Sequence, residues 1–324
     1  MRRRRAYDDN DAYAEHAQDS AAFGIPVIHH TRHRFQGGNM ETHVVSPKGK
    51  EVIIGDNLPT ILIGERINPF GKGPIKEGML AGNMEPIRQE AIKQVEAGAD
   101  ILIISVAAFG IDETVILPKA TEAVIEAVDA PLCLESRNPV ALEAALQLGC
   151  GKPIISSTTG EDAHLEALLP LVEKYDTSLV ILASDAGGIP NTAAKRLEIL
   201  TRISDKAKEI GIGPEKLIAD CVAESSAVNN MAAVLTMQTM EMVKHALRIN
   251  LVLGASNVSF GLPERPVINA VFLALAIQAG LNCAIVNVAK MKPYIMATDL
   301  LLGRDPRARC YTTYFRKVKS ATAR

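Results

Sequence analysis

The sequence predicts an α/β protein: a (β/α)8 TIM barrel over residues 59–324, preceded by an N-terminal extension over 1–58. Three observations point there. From Thr60 onward, eight short β-branched or apolar runs alternate with helical stretches at βα spacing. Most of these runs are apolar at every position, as strands covered on both faces should be. The segment after the first run reads Gly64-Glu65-Arg66-Ile67-Asn68-Pro69. It lacks the Gly-rich phosphate loop expected there in a doubly wound open sheet, the competing architecture.

In chain order, residues 2–5 are four arginines with no apolar segment behind them, so no signal peptide is expected. His29, His30 and His33 offer imidazoles to a metal, but no Cys or carboxylate completes a ligand set. A surface or partner-contacting arm is the preferred reading. Ser46-Pro47-Lys48-Gly49-Lys50 reads as a turn between two strand-like pieces leading into the barrel.

The predicted strands are 61–64, 101–106, 132–134, 153–157, 178–183, 217–221, 251–254 and 283–286. Between them, Asn83 caps a helix whose stripe is Met84, Ile87, Ala91 and Val95, and Gly98 ends it. Leu165, Leu168, Leu169 and Val172 mark another helix, with Pro170 inside it. Residues 194–210 alternate charge with Leu197, Leu200, Ile203 and Ala207, a pattern for an outer helix. Met231, Met237, Met240 and Met242 on the next helix read as packing rather than soft-metal ligands. Residues 266–279 have almost no polar face, which requires cover on all sides and suggests a two-fold dimer interface. The extension is the alternative cover.

Composition narrows the function. Lys plus Arg is 35 against 37 for Asp plus Glu, a net charge of −2, which does not favour a nucleic-acid partner. Aromatics are 4% with no Trp, which counts against stacking on single strands. No apolar run approaches the roughly 20 residues of a membrane span. Five isolated cysteines (Cys133, Cys150, Cys221, Cys283, Cys310) suggest reduced thiols in a cytoplasmic protein, without metal spacing.

Barrel enzymes build their sites from the C-terminal ends of the strands. Polar residues recur there: Glu65 and Asn68, Ser105, Glu135 and Asn138, Ser156 to Thr159, Ser184 and Asp185, Asp220, then Ser256, Asn257 and Ser259, and finally Asn287. For Asn138 and Asp162 helix capping is the preferred role. The set lacks His and any Ser–His or Cys–His pair, so it suits neither nucleophilic hydrolysis nor a metal. Carboxylates flanked by amides and hydroxyls suit a planar ligand rich in N–H donors, such as an aminopyrimidine edge.

Gly64-Glu65-Arg66-Ile67-Asn68, Leu132-Cys133-Leu134-Glu135-Ser136, the Asp220 strand end and Gly254-Ala255-Ser256-Asn257-Val258-Ser259-Phe260-Gly261-Leu262-Pro263 resemble the pterin-binding barrels of methyltetrahydrofolate methyltransferases. Methyltetrahydrofolate:corrinoid protein methyltransferases and the folate domain of cobalamin-dependent methionine synthase are the nearest members. The resemblance spans roughly 59–315 and implies a barrel of the dihydropteroate synthase-like type. Dihydropteroate synthase itself would carry Ser-Arg-Lys where this chain has Ser256-Asn257-Val258.

The resemblance implies methyl exchange between tetrahydrofolate and a cobalamin-bearing corrinoid protein, in one-carbon metabolism. It makes Asn257 the catalytic amide, and Glu135 and Asp220 the pterin-binding carboxylates. Arg265 falls where the family has a basic residue near the ligand; holding the loop or facing the glutamate tail are its other roles. With these, Asn68, Ser105, Ser156 and Ser259 complete the expected binding set. The chain departs from the family pattern at Ile103 and Ser105, where Asp-x-Asn is usual, at Glu135 for Asp, at Ser156 for Asn and at Cys221 for Pro. Two other functions remain open at this level: methyl transfer to tetrahydrofolate directly from a small methylated compound, and a degenerate, non-catalytic barrel subunit.

Overall fold

A computed structural model describes residues 40–70 and 73–322, and the arginines at 2–5 and His29, His30 and His33 lie outside them. The described chain begins with an antiparallel pair, β1 (Thr42–Val45) and β2 (Glu51–Ile54), joined at the turn read from Ser46 to Lys50. Eight parallel strands then close a barrel in chain order: β3 (Ile61–Ile67), β4 (Ile101–Ser105), β5 (Leu132–Glu135), β6 (Ile154–Thr158), β7 (Ser178–Leu182), β8 (Leu217–Asp220), β9 (Asn250–Gly254) and β10 (Cys283–Val286).

The helices around it are α1 (Pro74–Ala81), α2 (Glu85–Glu96), α3 (Glu113–Ala127), α4 (Pro139–Leu146), α5 (Asp162–Lys174), α6 (Ala193–Glu209), α7 (Ala232–Ala246), α8 (Arg265–Gln278), α9 (Val288–Leu301) and α10 (Arg309–Thr322). The predicted (β/α)8 barrel is thus the observed one. None of the described helices is long and apolar enough to cross a membrane.

Strand side chains divide by parity, since successive residues point to opposite faces. Leu62, Leu102, Ile104, Leu132, Leu134, Ile155, Leu179 and Ile181 face out and pack with helix residues such as Ile87, Leu117 and Leu200. Ile63, Ile101, Ile103, Cys133, Ile154, Val180, Ile218, Val252 and Cys283 fill the interior. Val44, Val52 and Ile54 of the hairpin join this inner cluster. The hairpin lies within the stretch that the sequence assigns to the extension, and its apolar face covers the barrel floor.

The floor is also tied by polar contacts. Asn250 Nδ2 donates to Thr42 Oγ1 and Ile54 O, both at 3.0 Å. Lys244, which is 1% exposed, donates to Asp56 and to Asn282 Oδ1, and Asn282 Nδ2 donates to Asp56 Oδ1 at 2.9 Å. Behind the floor, Val45 exchanges two backbone hydrogen bonds with Lys152.

Three strand ends run further than the sequence indicates, β5 by one residue to Glu135. β3 continues through a register shift to Ile67, because Gln94 Oε1 accepts the Arg66 N–H and holds the chain extended. A Cβ at Gly64 would lie 2.3 Å from that same Gln94 oxygen, so the close approach requires glycine. β6 likewise shifts register between Ser156 and Thr158. Asn83 accepts from the Glu85 N–H at the start of α2, α5 runs through Pro170, and Asn138 caps α4 by accepting from Val140 and Ala141. Asp162 lies in the first turn of α5 but bonds Lys206 rather than capping. α8 buries Phe272, Leu273, Ala276 and Ile277 against the barrel and leaves Val267, Val271 and Leu275 exposed.

Candidate functional site

The C-terminal strand ends open into one cavity of about 1190 Å³. Asn68, Ser105, Glu135, Ser156, Asp220, Asn257 and Arg265 line it together, so seven of the eight binding residues expected from the sequence converge. A second recess of about 360 Å³, lined by Thr159, Glu161, Ser184 and Asp185, shares Arg137, Asp220, Gly254 and Asn257 with it. The mouth is therefore one continuous depression.

Its floor carries three carboxyls, from the ends of β3, β5 and β8. Glu135 ends β5 beside Ser105 of β4 and Ser156 of β6 in the sheet register. Asp220 ends β8, and Glu65 lies in the extended part of β3. Burial raises the Glu135 carboxyl, against the opposing pull of the Arg137 charge. Burial likewise pushes Asp220 up to about 6, against the Val222 N–H, the Arg196 charge and the Gly254 N–H. Glu65 is raised by burial and partly relieved by the Ser256 hydroxyl, which donates to Oε2 at 3.3 Å.

Among the described residues, none of these three carboxyls has a cationic group within salt-bridge distance. Ser105 Oγ and Asn269 Oδ1 are buried there without a hydrogen-bond partner. A buried carboxylate without a countercharge costs free energy, as does an orphaned hydroxyl or amide oxygen. The floor is thus polar, acceptor-rich and only partly satisfied, the arrangement that a flat ligand bearing several N–H groups would complete.

Asn257 sits on the short turn at Ala255–Ser259 that follows β9, and its carboxamide makes no hydrogen bond among the described residues. It borders both recesses. The turn beneath it is clamped: Arg265 Nη2 donates to Ser256 O at 2.8 Å, and Arg265 Nε to Ser259 Oγ at 3.0 Å. Val258 O accepts from Ser226 N, joining the turn to the loop after β8. The geometry therefore leaves Asn257 free on a fixed platform.

Three expectations change in detail. Ser259 is fully buried and lies off the cavity wall; its hydroxyl donates to Ser256 O and accepts from Arg265, so it shapes the turn. Arg265 takes the loop-holding role among those open to it. Asn68 borders the cavity, but its carboxamide is engaged locally, with Nδ2 on Glu65 O at 2.5 Å and Oδ1 accepting from Phe70 N at 2.9 Å. Ile103, at the position of a usual family carboxylate, borders the cavity floor but belongs to the apolar interior and is 5% exposed.

The cavity also holds residues that the sequence reading left out of the binding set: Glu113, Arg137, Asn269 and Lys290, together with Glu65. Glu113 accepts from Ser136 Oγ at 2.6 Å. Their signals were present but weak. Arg137 follows the Glu135 strand end by two residues, and Asn269 stands one helical turn after Arg265.

Residues 64–287 match the family described as pterin binding enzyme. Over 266 residues the chain is 34% identical to the methylcorrinoid:tetrahydrofolate methyltransferase of Eubacterium limosum, covering 80% of this chain and 97% of that protein. Over 246 residues it is 28% identical to methionine synthase of Mycobacterium tuberculosis, covering 72% of this chain and 21% of that much longer protein. Among solved structures, the dihydropteroate synthase of Yersinia pestis shares the fold, with a TM-score of 0.60 and 13% identity over 81% of this chain and 99% of that one.

Proposed function

Because this chain belongs to the pterin-binding enzymes, we propose that it is a methyltransferase exchanging a methyl group between tetrahydrofolate and a cobalamin-bearing corrinoid protein. The observation that carries this reading is the convergence of Glu135, Asp220 and the unpaired Asn257 amide on one mouth, with no described cation within salt-bridge distance of the carboxyls. The named activity of the relative that matches this chain nearly end to end supports it.

Glu135 and Asp220 accept N–H donors from the pterin edge, and Ser105 and Ser156 fill adjacent positions on the floor. The ligand then supplies partners that the folded chain lacks. Asn257 donates to the pterin nitrogen that carries the methyl group. A tertiary amine is a poor leaving group, so a donor aimed where negative charge develops as the C–N bond breaks stabilises the transition state, and the departing nitrogen takes its proton from water at the open mouth. In the reverse direction that N–H proton returns to water as the nitrogen lone pair forms the bond to the methyl group, with the Asn257 carboxamide holding the nitrogen in place. The cobalt of the corrinoid supplies the other methyl-accepting or methyl-donating centre when its carrier is docked.

The open mouth fits a macromolecular carrier. Phe70, Phe109, Val228 and Phe260, on four loops at this end, are 69–100% exposed, an apolar rim of the kind that marks contact surfaces. The exposed Val267, Val271 and Leu275 of α8 would pair across a two-fold axis in a homodimer, which sedimentation would detect. Four buried, unpaired cysteines suit a cytoplasmic setting.

Calorimetry with tetrahydrofolate and methyltetrahydrofolate, followed by a spectroscopic assay of methyl transfer between the pterin and free cobalamin, tests the function. Binding together with cobalt-dependent transfer is expected. Failure to bind either pterin would refute the site.

A further inference from the structure

Arg196 is a large, fully buried side chain that the mechanism above does not use. It lies in the first turn of α6, and its guanidinium points at the loops behind the mouth. Nε donates to Pro190 O, and Nη1 donates to both Cys221 O and Val222 O, each at 2.8 Å. Nη2 donates to Glu224 Oε2 at 2.5 Å. A guanidinium holds its five N–H donors in one rigid plane, so these contacts fix the chain just after Asp220 as a unit.

What they fix is a strained turn. Val222 has φ 59°, a left-handed conformation that a β-branched residue rarely adopts. Its carbonyl is held twice, by Arg196 and by Thr236 Oγ1 at 3.0 Å. Its N–H is thereby turned back onto Asp220 Oδ1 at 2.7 Å. Strain of this kind persists only where the surroundings enforce it, and here the enforcing group is an arginine behind the site.

We propose that Arg196 is a positioning residue for Asp220, holding the Val222 turn whose N–H orients the carboxylate at the mouth. The consequence for affinity rests on the reading of Asp220 as a pterin acceptor, whereas the turn and the titration of Asp220 do not. Burial raises this carboxyl, and Arg196 opposes that from α6. Other ionisable groups around Asp220 are the adjacent Cys221 thiol, Arg137, Glu161 and Asp185 in the shared recess, and Glu65 and Glu135 in the main cavity.

The test is a double-mutant cycle of Arg196→Met and Asp220→Ala. Tetrahydrofolate affinity is read by calorimetry at pH 8, and Asp220 titration by carboxyl carbon NMR on the ligand-free protein. Arg196→Met should weaken binding about tenfold and move the Asp220 midpoint to higher pH. In the Asp220→Ala background the same change should have little further effect. Adding Val222→Gly, which takes a positive φ without strain, should restore part of the loss.

Additive losses with an unmoved Asp220 midpoint would overturn the proposal. If Arg196→Met does not fold, Arg196→Lys keeps the charge but loses the planar fork, and it should show the affinity loss with the same rescue by Val222→Gly; full affinity in that variant would overturn the proposal. Unchanged tetrahydrofolate affinity in Asp220→Ala, with a midpoint that still follows Arg196, would defeat the pterin reading and leave the positioning role standing.

Discussion

The two ends of the barrel differ in how they treat buried charge. At the floor, Lys244, Asp56 and Asn282 satisfy one another, and Asn250 ties the hairpin to the last strands. At the mouth, Glu135 and Asp220 are withdrawn from water without a cation at hand, and Ser105 Oγ has no partner. Both ends are built from strand termini on the same eight strands, so the sheet alone does not impose the difference. One end is closed by the protein's own chain, while the other keeps its acceptors open for a ligand. Buried charge without a countercharge therefore marks the working end, whereas the buried ammonium of the structural end is paired, even though Asn250 Oδ1 and Thr177 Oγ1 at that end have no partner among the described residues.

The largest effect should come from breaking the satisfied end. Lys244→Met leaves Asp56 and Asn282 without their shared donor, and removing one partner of a buried pair costs about 3–5 kcal/mol. Denaturant unfolding should show that loss, while the pterin affinity of the protein that remains folded stays unchanged. A matching loss of affinity would mean that the floor and mouth are coupled.

Next in size is Asn257→Ala. Removing a donor aimed at developing charge should slow methyl transfer by roughly 100- to 1000-fold, with pterin binding little altered. Equal losses in rate and binding would make Asn257 an ordinary contact.

Asp220→Asn should move stability and binding in opposite directions. The native carboxyl is raised to about 6 from an ordinary 3.8, so the folded state holds its proton more tightly than the unfolded state. The neutral form is therefore the one that favours folding. That advantage is full below about pH 4 and is lost as pH rises through 6. The amide variant never ionises, so it should be more stable than the parent by about 1–3 kcal/mol at pH 8 and nearly equal to it at pH 4. Pterin affinity should fall roughly 10- to 100-fold. A stability difference independent of pH would show that ionisation of Asp220 is not its source.

The smallest change is Ser105→Ala. Its hydroxyl contributes no hydrogen bond to the fold, so stability should change by about 0.5 kcal/mol or less, while pterin affinity drops roughly two- to tenfold. If stability falls and affinity holds, Ser105 belongs with the structural end.

Much of the fold was legible because burial on both faces leaves its mark on composition. The apolar runs at 101–106 and 178–183 can only be covered strands, and eight of them at βα spacing close a barrel. Asn138 was legible as a cap because Asn before Pro139 and an apolar stretch is a local signal. The exposed stripe of α8 follows from the same logic, since its apolar surface exceeds what one barrel face can cover.

The site was legible to the level of strand ends and no further. Glu135, Ser156 and Asp220 lie on or at the ends of strands, where parity fixes direction. Asn68 lies on a loop, Ser259 on the turn after β9 and Arg265 at the start of α8, and each turned toward neighbouring backbone instead of presenting its polar group to the cavity. Those contacts span only two to nine positions, but residue type alone does not say which neighbouring backbone group a turn brings within reach; elsewhere the deciding contacts are long. Arg196 meets Val222 across 26 positions, and Lys244 meets Asp56 across 188.

The sequence by itself thus determined the barrel, its working end and the family to which the site belongs, because strand periodicity and strand-end chemistry are local properties of the chain. Only the tertiary structure decided which polar groups would be satisfied. A hydrogen bond needs its partner within about 3 Å, and whether a donor from another element reaches that distance is settled when the chain closes on itself.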